Sequence, residues 1–317
     1  MITIKELSEK LFSFKSVALV CHVRPDGDTL GSALALSLAM QSRGISTRVF
    51  CDDIVPEKFN FLSAISSVSK YQAGEYDAFV AIDCADRTRL GEIEKDFFAN
   101  KNTFVVDHHI SNGRYAKVNY VQDLPSNCEV VYDIITTANV QITKEIADLL
   151  AMGIMTDTGN FKHKNVRAET FAIMSSLVGA GADVNKINYH MFSKQSKARA
   201  NLFAKVMAKV RYELDERMAI ITITAENLQA TGAKKDETEG FIDFIMGIVG
   251  VEVGVCILEV ANNKYKVSLR SKTTDVNAVA SEFGGGGHVL ASGCQLNGEY
   301  EEVVDRLVVA VKRHIIE

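Results

Sequence analysis

Residues 17–28 read VALVCHVRPDGD, in which the apolar, β-branched run VALVCHV at 17–23 reads as a strand carrying one histidine and leads into a turn holding two aspartates. An unbroken apolar run describes a strand buried on both faces, as in a parallel sheet covered by helices. LGSALALSLAMQS at 30–42 follows with a helical pattern ending before Gly44. The unit then recurs. ISTRVF at 45–50, YDAFVAIDC at 76–84 and NTFVVDHH at 102–109 read as strands, the last two delivering polar ligand-type residues at their C-terminal ends. Helices are expected over 127–138, 143–155 and 167–179, the second running into IMTDTG. The fold class is therefore α/β, with an open, mostly parallel N-terminal sheet whose functional loops gather beyond the carboxyl ends of the strands.

Beyond about residue 210 the pattern changes. ERMAIITIT at 216–224, GVEVGVCILEV at 250–260 and KYKVSLRS at 264–271 read as strands, with helical stretches at 238–247, 275–282 and 300–314. These describe a smaller C-terminal mixed α/β domain. A chain of 317 residues is long enough for two cores. The expected division is a metal-binding domain over 1–185, a helical linker over 186–209 and a substrate-binding domain over 210–317, with a cleft between the domains.

The formal net charge of −5 argues against coating long nucleic acid by phosphate neutralisation. A small phosphorylated ligand stays compatible with it, because metal ions in a pocket attract such a ligand locally. The opening MITIKELSEKLFSF has no signal-peptide core, and no later apolar stretch reaches membrane-spanning length. A cytoplasmic protein without a membrane partner is expected. Six cysteines form no CxxC pair and read as reduced, mostly buried thiols.

Four short clusters carry the chemistry: HVRPDGD at 22–28, DCAD at 83–86, DHH at 107–109 and DTG at 157–159. A lone D-G-D is an ordinary turn, but three further clusters at element ends reverse that reading. Asp83 closes the apolar run AFVAID, where an unpaired carboxylate is costly and a position between two cations neutralises it. Asp86 suits an N-cap, and Asp107 either a ligand or a group orienting a neighbouring histidine. His108 and His109 cannot point the same way from one extended backbone, so one can bind metal while the other serves a phosphate or supports the site.

Carboxylates and imidazoles without clustered thiolates favour Mn²⁺, with Mg²⁺ or Co²⁺ as alternatives. Two such ions, about 3.5 to 4 Å apart, activate a water and stabilise a transferring phosphoryl group. Hydrolysis of a phosphate ester follows, with no side-chain nucleophile required. In FGGGGHVLASG at 283–293, Gly284, Gly285, Gly286 and Gly287 would expose amides to an anion and His288 would add a donor. Arg270, at the end of SLRS, offers a bidentate partner for a phosphate. Phe161 and Tyr115 are candidates to stack a base or, equally, to close the core.

In these ordered motifs, HVRPDGD, VAIDCAD, VVDHH, MTDTGNF, SLRS and GGGGHVLASG, the chain resembles the DHH phosphoesterase superfamily with a C-terminal DHHA1 domain, close to its nanoRNase group of bifunctional oligoribonucleases and 3'-phosphoadenosine 5'-phosphate (pAp) phosphatases. The resemblance implies two Mn²⁺ ions, one held by His22, Asp26 and Asp83, the other by Asp28, Asp83, His108 and Asp157, with Asp83 shared. It implies that Asp107 orients the site, that His109 lies near the scissile phosphate, and that Arg270, the glycines of 284–287 and His288 grip the substrate. Arg24 stands where the family often has Asn, which puts a small change near the phosphate. The Arg-Lys-Lys signature of family II inorganic pyrophosphatases is absent. The implied partners are short RNA oligonucleotides, pAp or dinucleotides such as pApA, and a homodimer is compatible with the sequence. Alternatives are an enzyme acting mainly on linear or cyclic dinucleotides and a non-catalytic nucleotide sensor.

Overall fold

The computed structural model describes residues 2–315, which divide into two compact units, the first ending at Lys194 and the second beginning at Gln195. In the first, six strands form one sheet: β1 (Ser16–Cys21), β2 (Ser46–Phe50), β3 (Val68–Ser69), β4 (Ala78–Ile82), β5 (Thr103–Asp107) and β6 (Val118–Val121). Their order is β3-β2-β1-β4-β5-β6 and every pairing is parallel. Strand order reverses between β1 and β4, so a crevice opens beyond the carboxyl ends of those two strands.

Among the described residues, seven α-helices accompany the sheet: α1 (Ile4–Leu11), α2 (Gly27–Gln41), α3 (Glu94–Ala99), α4 (Asn127–Thr137), α5 (Lys144–Asp157), α6 (Ala168–Gly179) and α7 (Val184–Asn188). Alternation along β1 explains why both faces need cover. Val17, Leu19 and Cys21 pack with Leu30, Leu34 and Ile154, while Ala18 and Val20 face the opposite cluster with Phe79, Leu90 and Phe97. Helices α2 and α5 come very close. A methyl group on Gly31 would meet the Leu149 carbonyl at 2.5 Å, and one on Gly153 would meet Asp28 Oδ1 at 2.8 Å.

Three boundaries differ from expectation in ways that matter for the site. Helix α2 begins at Gly27 rather than residue 30, because Asp26 caps it and accepts from Asp28 N (3.0 Å) and Thr29 N (3.1 Å). Strand β1 ends at Cys21 because Val23 N turns to Arg89 O at 2.9 Å. Helix α5 continues to Asp157, which therefore projects from its last turn.

The second unit holds β7 (Arg211–Glu213), β8 (Met218–Ile223), β9 (Val253–Ala261), β10 (Lys264–Ser271), β11 (Gly286–His288) and β12 (Ala291–Asn297), in the order β11-β12-β10-β9-β8-β7. Only β8 and β9 pair parallel, so the sheet is mixed. Its helices are α8 (Lys197–Met207), α9 (Ala225–Thr231), α10 (Phe241–Met246), α11 (Val276–Ser281) and α12 (Tyr300–His314). Val255, Ile257, Val267 and Leu269 pack on one face with α11 and α12, and Ala219, Ile221 and Ile223 on the other with α8 and α10. The segment 186–209 contains the end of α7, a π-helical turn at Tyr189–Ser193 and α8. Ile187 is buried in the first core, and Leu202 and Val206 in the second.

The glycine run is part of a β-hairpin rather than an open loop. A side chain on Gly287 would meet Ala291 O at 2.6 Å, and one on Gly285 would meet Cys294 Cβ at 2.5 Å, so these glycines let β11 lie close on β12. Among the described residues, no helix is long and apolar enough to cross a membrane.

Candidate metal centre

Every cluster of the first unit ends at the switch point. His22 leaves the end of β1, Asp26 and Asp28 begin α2, Asp83 follows β4, Asp107 ends β5, and Asp157 comes from the last turn of α5. Asp83 is the hub. Its backbone is left-handed, with φ 54°, and its carboxylate is 2% exposed. A non-glycine residue held in that conformation is a strained position of the kind that clusters at functional sites. The two carboxylate oxygens face different imidazoles: Oδ2 lies 3.6 Å from His22 Nε2, and Oδ1 lies 3.3 Å from His108 Nε2.

Around this hub two ligand groups take shape. His22, Asp26 and Asp83 form one, and His22 Nε2 is 3.5 Å from Asp26 Oδ2. Asp28, His108 and Asp157 form the other, with His108 Nε2 3.7 Å from Asp28 Oδ2 and 3.3 Å from Asp157 Oδ2. Such separations exceed hydrogen-bond length and approach the roughly 3 to 4 Å spacing of oxygen or nitrogen ligands around an ion bonded at about 2.1 Å. His22 Nε2, His108 Nε2 and Asp83 Oδ1 are buried without a hydrogen-bond partner. These orphaned atoms all point inward to the same place, and the donor set fits hard divalent cations.

The remaining nitrogens are already committed. His108 Nδ1 donates to Leu124 O at 2.9 Å, which leaves Nε2 as the nitrogen that faces the carboxylates. His22 Nδ1 lies 2.8 Å from Val23 O, and Arg89 Nη2 reaches the same nitrogen at 2.8 Å. Asp28 is held by the start of α4, accepting from Asn127 N (2.5 Å) and Cys128 N (2.9 Å). Asp107 also groups with Asp83, His108 and His109, but both of its oxygens are occupied. Oδ1 accepts from His108 N (2.8 Å) and His109 Nδ1 (2.8 Å), and Oδ2 accepts from Asn112 Nδ2 (2.5 Å). Asp107 thus fixes the position of the His109 ring through Nδ1.

Electrostatics show a site short of positive charge. Burial pushes Asp28 up to about 7 and Asp157 up to about 8, with the neighbouring carboxylates reinforcing both shifts. Burial alone would lower His22 and His108, but their aspartate partners outweigh it and hold both up at about 10. The hydrogen bond to Asp107 raises His109 against the opposing effect of burial. Asp107 itself, despite burial, is lowered by His109 and Asn112.

Other expected residues divide between site and scaffold. Asp86 caps the turn at Arg87–Ile93, accepting from Thr88 N at 2.8 Å. Tyr115 donates to Cys84 O at 2.9 Å and packs against the core, so it closes the core rather than offering a face for a base. Phe161 packs on the first core and against Phe171. Arg24 has φ 54°, a left-handed conformation that suits Asn better than Arg. Arg89 and Asn112 were not anticipated; nothing in the sequence marks them, since their partners lie on other elements.

In the second unit, strand register brings Arg270 and His288 together. Arg270 pairs with Ala291 on β12, and Ala291 pairs with His288 on β11, so the two side chains share a row and a face of the sheet. Arg270 Nη1 donates to Leu269 O at 3.0 Å, and His288 is exposed. The expected amide cradle of the glycine run is largely spent inside the unit. Gly284 N donates to Ser281 O (3.0 Å), Gly285 N to Ala280 O (2.9 Å) and Gly287 N to Asn277 Oδ1 (2.8 Å).

Residues 16–154 match the DHH family, N-terminal domain, and residues 216–317 match the DHHA1 domain. A bifunctional oligoribonuclease and PAP phosphatase, NrnA, of Thermus thermophilus is 28% identical over 306 residues, covering 94% of this chain and 90% of its own. A probable protein of the same description from Streptococcus mutans is 28% identical over 299 residues, covering 92% and 93%. The crystal structure of an exopolyphosphatase-related protein from Bacteroides fragilis superposes with a TM-score of 0.82 at 26% identity, covering 98% of this chain and 96% of the other.

Proposed function

Because the chain belongs to the DHH family with a C-terminal DHHA1 domain, we propose that it is a Mn²⁺-dependent phosphoesterase that cuts very short RNA to mononucleotides and removes the 3'-phosphate of pAp. The observation that carries this reading is the trio of buried, partnerless ligand atoms around Asp83, whose two oxygens face two different imidazoles.

His22, Asp26 and Asp83 would hold one cation, and Asp28, Asp83, His108 and Asp157 the other. Bound divalent cations lower the pKa of a water and stabilise charge on a phosphoryl group. The chain's own residues do the rest. Asp107 fixes the His109 ring through Nδ1 and keeps it readily protonated, so that Nε2 can donate to a phosphate oxygen or to a departing alkoxide. Arg270 and His288, sharing one sheet row, would bind the phosphate groups of the substrate. A Cβ on Gly284 would meet nothing within 4 Å and one on Gly286 would meet Asn277 Oδ1 at 3.7 Å, which would leave room for a nucleotide to approach the backbone closely.

The test is direct. Mn²⁺-loaded protein should release mononucleotides from RNA of two to five residues and inorganic phosphate from pAp. Inactivity on both, in protein that retains metal, would overturn the reading. A strong preference for pApA over both would favour a dinucleotide phosphodiesterase, and tight binding without turnover would favour a sensor.

A further inference from the structure

The first ligand group, His22, Asp26 and Asp83, and the second, Asp28, His108 and Asp157, differ in what stands behind their histidines. His108 turns Nδ1 to an uncharged group, Leu124 O, at 2.9 Å. His22 turns Nδ1 to Val23 O at 2.8 Å, but Arg89 Nη2 lies against the same nitrogen, also at 2.8 Å, and is 3.5 Å from Val23 O. A carboxylate behind a metal-binding imidazole raises its basicity, and a guanidinium in that place does the reverse, drawing electron density out of the ring and weakening Nε2 as a donor. It also sets a fixed positive charge one ring's width behind any cation that His22 holds. Local sequence explains the placement. Arg89 belongs to the turn Arg87–Ile93 that follows Asp83, and its backbone oxygen accepts from Val23 N at 2.9 Å. That backbone bond anchors the His22 turn independently of the side chain at position 89.

The carboxylates lean the same way. Apart from Asp83, the first group has only Asp26, whose side chain is 55% exposed and whose Oδ1 is taken by the start of α2. The second group has Asp28, fully buried, and Asp157, with oxygens 3.7 and 3.3 Å from His108 Nε2. Among the described residues, no lysine or arginine side chain pairs with Asp28, His108 or Asp157. Two carboxylates with no cation beside them attract a divalent ion more strongly than one solvated carboxylate backed by a guanidinium.

We propose that Arg89, acting through His22, makes the first group the weaker and more readily exchanged of two cation sites, so that the second group fills first. Arg89 is on this account a positioning residue that sets the strength of a ligand. The proposal rests on the reading that these groups hold two divalent cations. Occupancy of the first site then follows the free Mn²⁺ concentration while the second stays filled.

Titration of the metal-stripped full chain with Mn²⁺, followed by electron paramagnetic resonance, reads the order. The first equivalent should give the spectrum of an isolated ion, and the exchange-coupled spectrum of a pair should grow only with a second equivalent bound about tenfold or more weakly. Arg89→Met keeps the stem and the backbone bond to Val23 while removing the charge. It should tighten the second equivalent about tenfold, the effect of one charge acting on a divalent ion across an imidazole under strong solvent screening, and leave the first equivalent unchanged. Arg89→Lys keeps the charge and should stay within about threefold of the unaltered chain. An unchanged or weakened second equivalent in Arg89→Met overturns the proposal, as does an Arg89→Lys chain that behaves like Arg89→Met. Arg89→Gln carries the same expectation as Arg89→Met and decides the matter if the latter does not fold. Failure of the phosphoesterase reading looks different: two Mn²⁺ bind in the expected order, but the loaded protein hydrolyses neither pAp nor short RNA.

Discussion

Replacing Asp83 by Asn keeps the shape of the side chain and removes its charge, so it isolates the role of the hub. In the structure Oδ1 lies 3.3 Å from His108 Nε2 and Oδ2 lies 3.6 Å from His22 Nε2, which places one carboxylate within reach of both ligand groups. A single unit charge acting across about 4 Å at an effective dielectric of about 20 amounts to about 4 kcal/mol. At about 1.4 kcal/mol per decade this is about a thousandfold in metal affinity or rate. The asparagine carbonyl can still face one group, but its amide N–H groups then face the other. Asp83→Asn should therefore retain at most about one Mn²⁺ per chain after dialysis and hydrolyse pAp about a thousandfold more slowly at saturating Mn²⁺. Elemental analysis and phosphate release measure the two quantities, and circular dichroism checks that the fold is intact. Full metal content together with a rate within about tenfold of the unaltered chain would refute the bridging argument.

The site's protonation gives a second test. His22 and His108 sit up at about 10 without metal and must lose their protons to bind it, so Mn²⁺ binding should release protons and tighten as pH rises between about 6.5 and 10. The stability these histidines lend the metal-free fold is complete below about 6.5 and fades as pH climbs through about 10; calorimetry in buffers of different ionisation heat that showed no proton release at pH 7.5 would contradict this. Asp107→Asn removes the partner that raises His109, and because the protonated form is the useful one, the alkaline fall of the rate should move to lower pH while metal content stays near normal. Arg270→Ala and His288→Ala should raise KM for pAp and leave metal content unchanged, and parallel loss of metal would contradict their placement on the second unit's sheet. Gly153→Ala should destabilise the first unit by about 1–3 kcal/mol and weaken Mn²⁺ binding, since the added methyl group meets Cys128 Sγ and stands 2.8 Å from Asp28 Oδ1; an unchanged melting temperature with unchanged metal affinity would show that the helices part freely.

The sequence was most legible where one signal dominated. Uniform apolar runs located β1, β4 and β5 to within about two residues, and the polar residues that ended them located the site. Helix α2 was placed three residues late because Pro25-Asp26-Gly27-Asp28 reads locally as a turn, while the Asp26 side chain converts it into a helix start. Strands β3 and β6 escaped because one is two residues long and the other is only half-buried. Strand β12, ASGCQLN, escaped because its glycine and polar residues hide a period-two burial that exists only against β10. Arg89 and Asn112 escaped for a related reason: they matter through His22, 67 positions away, and through Asp107, across a turn. The glycine run was seen as a place for close backbone approach, but the partner in that approach is largely the hairpin's own second strand.

The five carboxylates of the candidate site differ in how their oxygens are hydrogen-bonded. Asp107 has both oxygens filled by His108 N, His109 and Asn112, and is lowered despite its burial. Asp26, whose side chain is 55% exposed, spends Oδ1 on the start of α2 and keeps Oδ2 toward His22. Asp28 and Asp157 have the opposite problem: burial and mutual repulsion hold them protonated near neutrality, although Asp28 receives two amides from α4. Backbone dipoles are therefore insufficient to ionise the inner pair, and the two imidazoles supply enough charge only by keeping protons on the atoms that point inward. Divalent cations between these groups would remove both difficulties at once, freeing the imidazole nitrogens and allowing Asp28 and Asp157 to ionise. Beside them, the buried Asp107 holds the partly exposed His109 ring through Nδ1 at 2.8 Å and raises its pKa, so the direction of that ring is set by a group whose own oxygens are already filled.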